Sequence, residues 1–292
     1  MIQYPISRAD LEARIEQAVP GWLARAAQRT AGFKDQGKYA ESSTIWSEVK
    51  PVYMDLQGCK CVYCESKQEA VEFGKVAQDV EHFRPKGRVS AWKAPARLIK
   101  QSAISITPPP GGDTGYYLLP YHPFNYSAAC KPCNSVLKKD YFPIAGNYML
   151  NGDDPAQLRQ EQPLLIYPLG DFDTPAEQLI GFHGVAPLAL AQHGYPRARA
   201  LVTIEFFKLD DVAKRKNLFR ERAMVIVALF PQLCAEADGT GTAASRKIIQ
   251  GCTALQSGHS NCARSFQTLF QRDRAAAQAI FEAAADFVAS IS

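Results

Sequence analysis

The stretch GCKCVYCES, residues 58–66, sets Cys59, Cys61 and Cys64 within six residues of one another. Cys61 and Cys64 have the C-x-x-C spacing, at which two sulfurs reach one metal ion or form a redox pair. A second such pair, Cys130 and Cys133, lies far downstream in CKPC. A thioredoxin-like reading needs one pair in a βαβ context, and here there are two. Zn²⁺ favours four soft thiolates in a tetrahedron, so the two pairs predict one structural zinc site of Cys61, Cys64, Cys130 and Cys133. The chain must then leave after the first pair and return with the second, as it does around an inserted hairpin. Cys59 has the wrong spacing to Cys61 for a knuckle, although a pairing of Cys59 with Cys64 stays open. Cys234, Cys252 and Cys262 sit in helical surroundings and read as small buried apolar residues.

Working outward, the 292-residue chain is 47% hydrophobic and 21% charged, a composition that supports a globular core without disulfides. No apolar run has membrane-spanning length. The opening MIQYPISRADLEARIEQ lacks the basic start and apolar stretch of a signal peptide. The expected compartment is the cytoplasm, where thiols stay reduced, so the eight cysteines are judged as ligands, catalytic thiols or core residues. Net charge is only +4, but residues 59–140 carry twelve Lys and Arg, Lys75 among them, against seven Asp and Glu. That local surplus of five exceeds the whole chain's charge, so the remainder is slightly acidic. A basic segment around the cysteines is the footprint of a docked phosphate backbone, or else an ordinary solvated surface.

Helical periodicity runs over 7–30, with Ser7 and Asp10 in a capping arrangement and Pro20 set to bend or break the helix. A second helical stretch, about 40–57, leads to the cysteines. ITPPPGGDTG (106–115) is a loop. PLLIYPL (163–169) and ALVTIEFF (200–207) read as short strands from their branched and aromatic residues. Asp210 or Asp211 caps a helix to about Phe230, and another starts near Ser260. The fold expected is α+β and predominantly helical. Its segments are N-terminal helices over 1–57, a central module over 58–150, and a mainly helical region with short strands over 151–292. The apolar RAMVIVALF and AIFEAAADFVASIS read as that region's own core, or as a docking surface.

Two stretches inside the central module carry chemistry. In DVEHFRPKGRV (79–89), Glu81 and His82 are neighbours at a strand end, so one can hold metal while the other faces substrate. Arg84, Lys86 and Arg88 then alternate as phosphate contacts do. In CKPCNSVLKKDYFP (130–143), Asn134 follows the last cysteine, and Lys138 shares its helical face. Asn125 lies upstream in YHPFNYSAAC. His122, His183, His193 and His259 have no companion ligands and read as surface or core residues.

The order Glu81-His82, Asn125, then C-x-x-C-Asn134 with a trailing lysine resembles the HNH endonuclease family, whose ββα-metal module clamps one divalent cation. EHFRPK, CNSVLKKDYFP, PLLIYPL and TIEFFKLDD resemble more narrowly the PtuB-type HNH proteins of bacterial antiphage systems, Septu and certain retrons, over roughly residues 55–225. The resemblance implies a central HNH module whose catalytic residues lie between the cysteine pairs. His82 would be the general base, Glu81 and Asn134 the ligands of Mg²⁺ or Mn²⁺, and Asn125 the residue orienting the His82 loop. Arg84, Lys86, Arg88 and Lys138 or Lys139 would contact DNA. The basic residue after Asn134 comes one place later than in many members, so which of the two lysines faces DNA stays open. The implied partners are DNA and an ABC/SMC-type ATPase, PtuA-like, since no G-x-x-x-x-G-K-[ST] motif occurs here. The implied activity is DNA cleavage in antiphage defence. The alternative is a zinc-stabilised nucleic-acid-binding module without catalysis.

Overall fold

The computed structural model describes residues 1–74 and 76–290. Lys75, counted in the basic surplus, and Ile291 and Ser292, at the end of the terminal apolar run, lie outside the described residues. Helix α1 (Arg8–Ala18) starts as its sequence predicts, with the Ser7 hydroxyl accepting from the Asp10 amide. The helix stops before Pro20, and α2 (Trp22–Gln36) begins anew after Gly21 at φ 76°. The Glu16 carboxylate accepts from the Gly21 and Leu23 amides at 2.8 and 2.7 Å, satisfying donors that the break exposes. The stretch expected to be helical over 40–57 is shorter: a 3-10 turn (Trp46–Val49) and α3 (Lys50–Leu56).

A single turn, α4 (Val71–Gly74), precedes strand β1 (Gln78–His82). The chain then makes a long excursion through α5 (Ala96–Ser102) and returns as β2 (Tyr126–Cys130). The two strands pair antiparallel, with Gln78 opposite Cys130 and His82 opposite Tyr126. A helical turn (Pro132–Lys138) follows at once, so hairpin and helix share the second cysteine pair. Downstream lie α6 (Ala176–Leu179), a hairpin of β3 (Ile180–His183) and β4 (Ala186–Ala189), and α7 (Gly194–Phe206). Four helices close the fold: α8 (Lys216–Ala237), α9 (Ala243–Thr253), α10 (Ser260–Arg272) and α11 (Arg274–Ala289). The architecture is predominantly helical α+β with two small two-stranded sheets.

Two expectations for strands need correcting. Residues 200–207 are helical, forming most of α7 and its end. Ala200, Val202, Ile204, Phe206 and Phe207 are all buried, so this helix is apolar around much of its circumference and shows no amphipathic period. Branched residues fit there because tertiary burial outweighs a β preference worth under about 1 kcal/mol per residue. The segment 163–169 is extended and buried, but joins no sheet. It makes only isolated bridges, Ile144 to Pro163 and Tyr4 to Leu169. Pro163 and Pro168 lack the N–H that a ladder needs.

Burial divides the chain into two apolar clusters. One runs from Met1 to Leu218 and takes in Trp22, Tyr53, Tyr126, Leu165 and Val202, across the expected boundaries at 57 and 150. The N-terminal helices therefore back directly onto the hairpin: Tyr53 donates to the Pro123 carbonyl at 2.7 Å, and Trp22 packs edge-on against Tyr126. The second cluster joins α8, α10 and α11, with Phe230 stacked on Phe281 at 4.6 Å. From RAMVIVALF, Ala223, Ile226, Leu229 and Phe230 enter this core while Met224 stays exposed; of the terminal run, Ala284 is buried in it and Ile280, Phe281, Phe287 and Val288 pack against it. Among the described residues, no helix is long and apolar enough to cross a membrane.

Candidate functional site: a cysteine cluster and the cleft beside it

The backbone around GCKCVYCES turns back on itself. Glu65 N–H bonds Cys61 O at 3.0 Å, and Cys61 N–H bonds Ser66 O at 3.1 Å. Val62 N–H bonds Ala128 O on β2, which fixes the loop to the strand delivering the second pair. The sulfurs of Cys61, Cys64, Cys130 and Cys133 thereby come within 4.8 Å of one another, all buried. A tetrahedron with Zn–S bonds of about 2.3 Å has edges of about 3.8 Å. The separation of Cys64 Sγ from Cys130 Sγ is 3.8 Å. Donor type, number and spacing all fit zinc. Cys59 is half-buried and stands outside the cluster.

The four thiols share protons, and Cys133 is pushed up by its hydrogen bonds to Cys130, Cys61 and Cys64. Hydrogen bonds from the Cys130, Cys133 and Cys61 thiols hold Cys64 well below the usual thiol range. Both outer nitrogens of Arg215 lie 3.6–3.7 Å from Cys133 Sγ. Arg215 precedes α8, more than eighty residues from its cysteine, and sequence spacing gave no hint of it. A guanidinium there offsets part of the negative charge of four thiolates.

The hairpin presents the other residues. Alternation along β1 puts Asp79 and Glu81 on one face and Val80 and His82 on the other. His82 is held between Trp46 and Tyr126, both edge-on at 4.9 and 5.0 Å. Its Nε2 lies 3.2 Å from the Pro120 carbonyl. A carbonyl only accepts, so Nε2 carries the proton and Nδ1 keeps a lone pair. Burial, with help from the nearby Lys86 and Lys138 charges, pushes His82 well below the ordinary histidine range. The imidazole is therefore neutral at pH 7, as a base must be.

Asn125 is fully buried and straddles Arg84. Its Oδ1 accepts from Arg84 N at 2.8 Å, and its Nδ2 donates to Arg84 O and Leu119 O, both at 3.0 Å. The loop leaving His82 is thus locked by one side chain. Asn134 sits at the start of the helical turn, with Nδ2 3.4 Å from Asp79 Oδ2. That leaves its Oδ1 as an acceptor. Asp79 also takes the Ser135 hydroxyl at 3.3 Å. Sequence reading passed over Asp79, although its place two residues before Glu81 on a strand marks it as sharing that face.

Glu81 is buried, with Oε1 engaged by Lys138 Nζ at 3.2 Å and by the Tyr63 hydroxyl at 3.3 Å. Burial pushes the Glu81 carboxyl up and the Lys138 ammonium down, and each is the other's main counterweight. Lys138 is fully buried and does not reach the surface. Lys139, exposed and at φ 46°, is the one of the pair at the surface. Arg84 is buried too. It bonds Glu161 at 3.1 Å and Leu158 O at 3.0 Å, among the rings of Phe83, Tyr116 and Phe142. Neither Lys138 nor Arg84 sits where DNA could touch it. Lys86, over the Trp46 ring at 4.4 Å, and exposed Arg88, paired with Asp140, remain at the surface.

These residues open onto one cleft of about 480 Å³. Glu81, His82, Lys86 and Asn134 line it, with Arg88 and Lys139 beside them. The hairpin, the helical turn and the four-cysteine cluster therefore define a protein whose candidate site hangs on a cysteine clasp. The chain is similar to the Septu protein PtuB of Bacillus mycoides (strain KBAB4), 30% identical over 154 residues. That stretch is 53% of this chain and 45% of the other, so the likeness to PtuB-type proteins extends over about half of each. No family model matches the chain, and no solved structure matches it.

Proposed function

We propose that the chain is a metal-dependent DNA endonuclease of the HNH type, acting in Septu-like antiphage defence beside a PtuA-like ATPase. One observation supports this most strongly: a neutral, oriented histidine whose Nδ1 keeps its lone pair shares a cleft with Glu81 and Asn134. Phosphodiester hydrolysis needs a base to take a proton from water, and a neutral imidazole suits that step near pH 7. Glu81, through Oε2, and Asn134, through Oδ1, form an oxygen donor set that fits a hard divalent ion, Mg²⁺ or Mn²⁺. When bound, that ion supplies charge stabilisation at the scissile phosphate. Asp79 holds the Asn134 amide by Nδ2, and Asn125 holds the His82 loop. The cysteine cluster, with zinc, is the scaffold that keeps the hairpin against the helical turn. Lys86, Arg88 and Lys139 are the cations at the cleft for a DNA backbone.

The test is cleavage of plasmid DNA with Mg²⁺ or Mn²⁺, by the chain alone and with its ATPase partner. His82→Ala and Asn134→Ala should each lose at least about a hundredfold in rate. Cleavage by both variants at the parent rate refutes the catalytic assignment. DNA binding without any cleavage, in the parent and in its complex, would favour the non-catalytic zinc module.

A further inference from the structure

A second basic concavity lies beside the cysteine cluster, at the start of the helical turn Pro132–Lys138. Its volume is about 580 Å³, and Lys131, Lys214, Arg215 and Lys216 line it beside Cys64 and Cys130. These cations come from two places remote in sequence: the residue after β2 and the KRK run at the start of α8. Lys131, Lys214 and Lys216 are exposed. Lys131 is shared with Asp79 at 3.7 Å and Lys214 with Asp211 at 3.3 Å, both loose surface pairs. Glu221, the acid in the wall, is already held by Ser66 and His259, each at 2.8 Å. The groove lining thus sets four cations against one carboxylate, Glu221, with Asp79 and Asp211 pairing two of the lysines from outside it.

We infer that this groove is a second phosphate-backbone site, carrying the nucleic acid onward from the cleft; the inference rests on the endonuclease reading. One short helix connects the two places. Lys131 stands at its start in the groove, and Lys139 at its end in the cleft. They stand at the two ends of one short helical turn, close enough for a single nucleic-acid backbone to touch both. Among the described residues that line the groove, none is an exposed aromatic or large aliphatic side chain. It offers point charges on flexible stems, which suit a sequence-independent backbone. The C-terminal bundle thus gains a role: the segment entering α8 brings Lys214 and Lys216 to the DNA and, through Arg215, steadies Cys133.

The experiment measures binding of a duplex of about 20 base pairs over a salt series, in a His82→Ala background so that the DNA stays intact. Each lost phosphate contact removes about 0.9 from the slope of log affinity against log salt. Lys214→Ala with Lys216→Ala should lower the slope by about 2 and weaken binding tenfold or more at 0.1 M salt. Lys216→Glu alone should give a similar loss of affinity. Zinc content and circular dichroism, unchanged in these surface variants, confirm the fold. A slope unchanged to within 0.5 overturns the groove, also where the same variants lose an acidic protein partner instead. A parent that shows no salt-dependent DNA binding overturns the endonuclease reading along with it.

Discussion

Replacing Lys138 by methionine separates the two places this lysine could occupy. In the structure its ammonium is fully buried, 3.2 Å from Glu81 Oε1 and 3.4 Å from His82 O. Methionine keeps the bulk and removes the charge, so Glu81 is left in the core with one donor, the Tyr63 hydroxyl. Stripping one partner from a buried ion pair costs about 3–5 kcal/mol. The variant has one escape, which is to protonate Glu81. From a carboxyl's ordinary value of 4.5, doing so at pH 7 costs about 3 kcal/mol, at about 1.4 kcal/mol per pH unit. The expected loss at pH 7 is therefore about 3 kcal/mol.

The pH dependence follows with a definite sign. In the variant the folded state keeps a proton on Glu81 that the unfolded chain releases above pH 4.5. Its stability therefore falls as pH rises. At pH 5 the deficit should shrink below about 1 kcal/mol. Lys139→Met, at an exposed residue, should change stability by less than about 0.5 kcal/mol. The assay is urea unfolding at pH 5 and pH 7, without added divalent cation. If Lys138→Met matches the parent at pH 7 but binds DNA more weakly, the lysine faces DNA and the buried pair is wrong.

Cys61→Ser should lose zinc by elemental analysis and unfold the hairpin region, whereas Cys59→Ser keeps a full equivalent; zinc lost from Cys59→Ser would place Cys59 among the ligands, and zinc kept by Cys61→Ser would take Cys61 out of them. His122 Nδ1 accepts from Phe124 N at 3.1 Å, and burial, with Arg8 nearby, depresses the ring to about 4. A depressed histidine favours the neutral folded form, so its contribution is lost as pH falls from 6.5 towards 4. His122→Asn keeps an acceptor and removes the titration, so the loss of stability from pH 7 to pH 5 should shrink by up to about 2 kcal/mol. Parallel stability curves for parent and variant would exclude this.

What the sequence determined by itself was written in short spacings. Two C-x-x-C pairs marked the cluster and its excursion, Ser7 with Asp10 marked the start of α1, and Pro20 marked its end. Each depends on chemistry within a few residues, which any fold must respect. Glu81, His82, Asn125 and Asn134 were singled out from their order along the chain, helped by a family likeness. Their hydrogen bonds came only from the fold. Tertiary structure alone decided which cations face solvent. Arg84 and Lys86 look alike in EHFRPKGR. Yet Arg84 is drawn into the core by Glu161, which lies 77 residues away. Lys138 and Lys139 are neighbours, and which one turns inward is decided by where Glu81 lies across the hairpin. The helix at 200–207, the Arg215 contact with Cys133 and the basic groove share that origin. Burial is a property of what packs from elsewhere, and no local pattern records it.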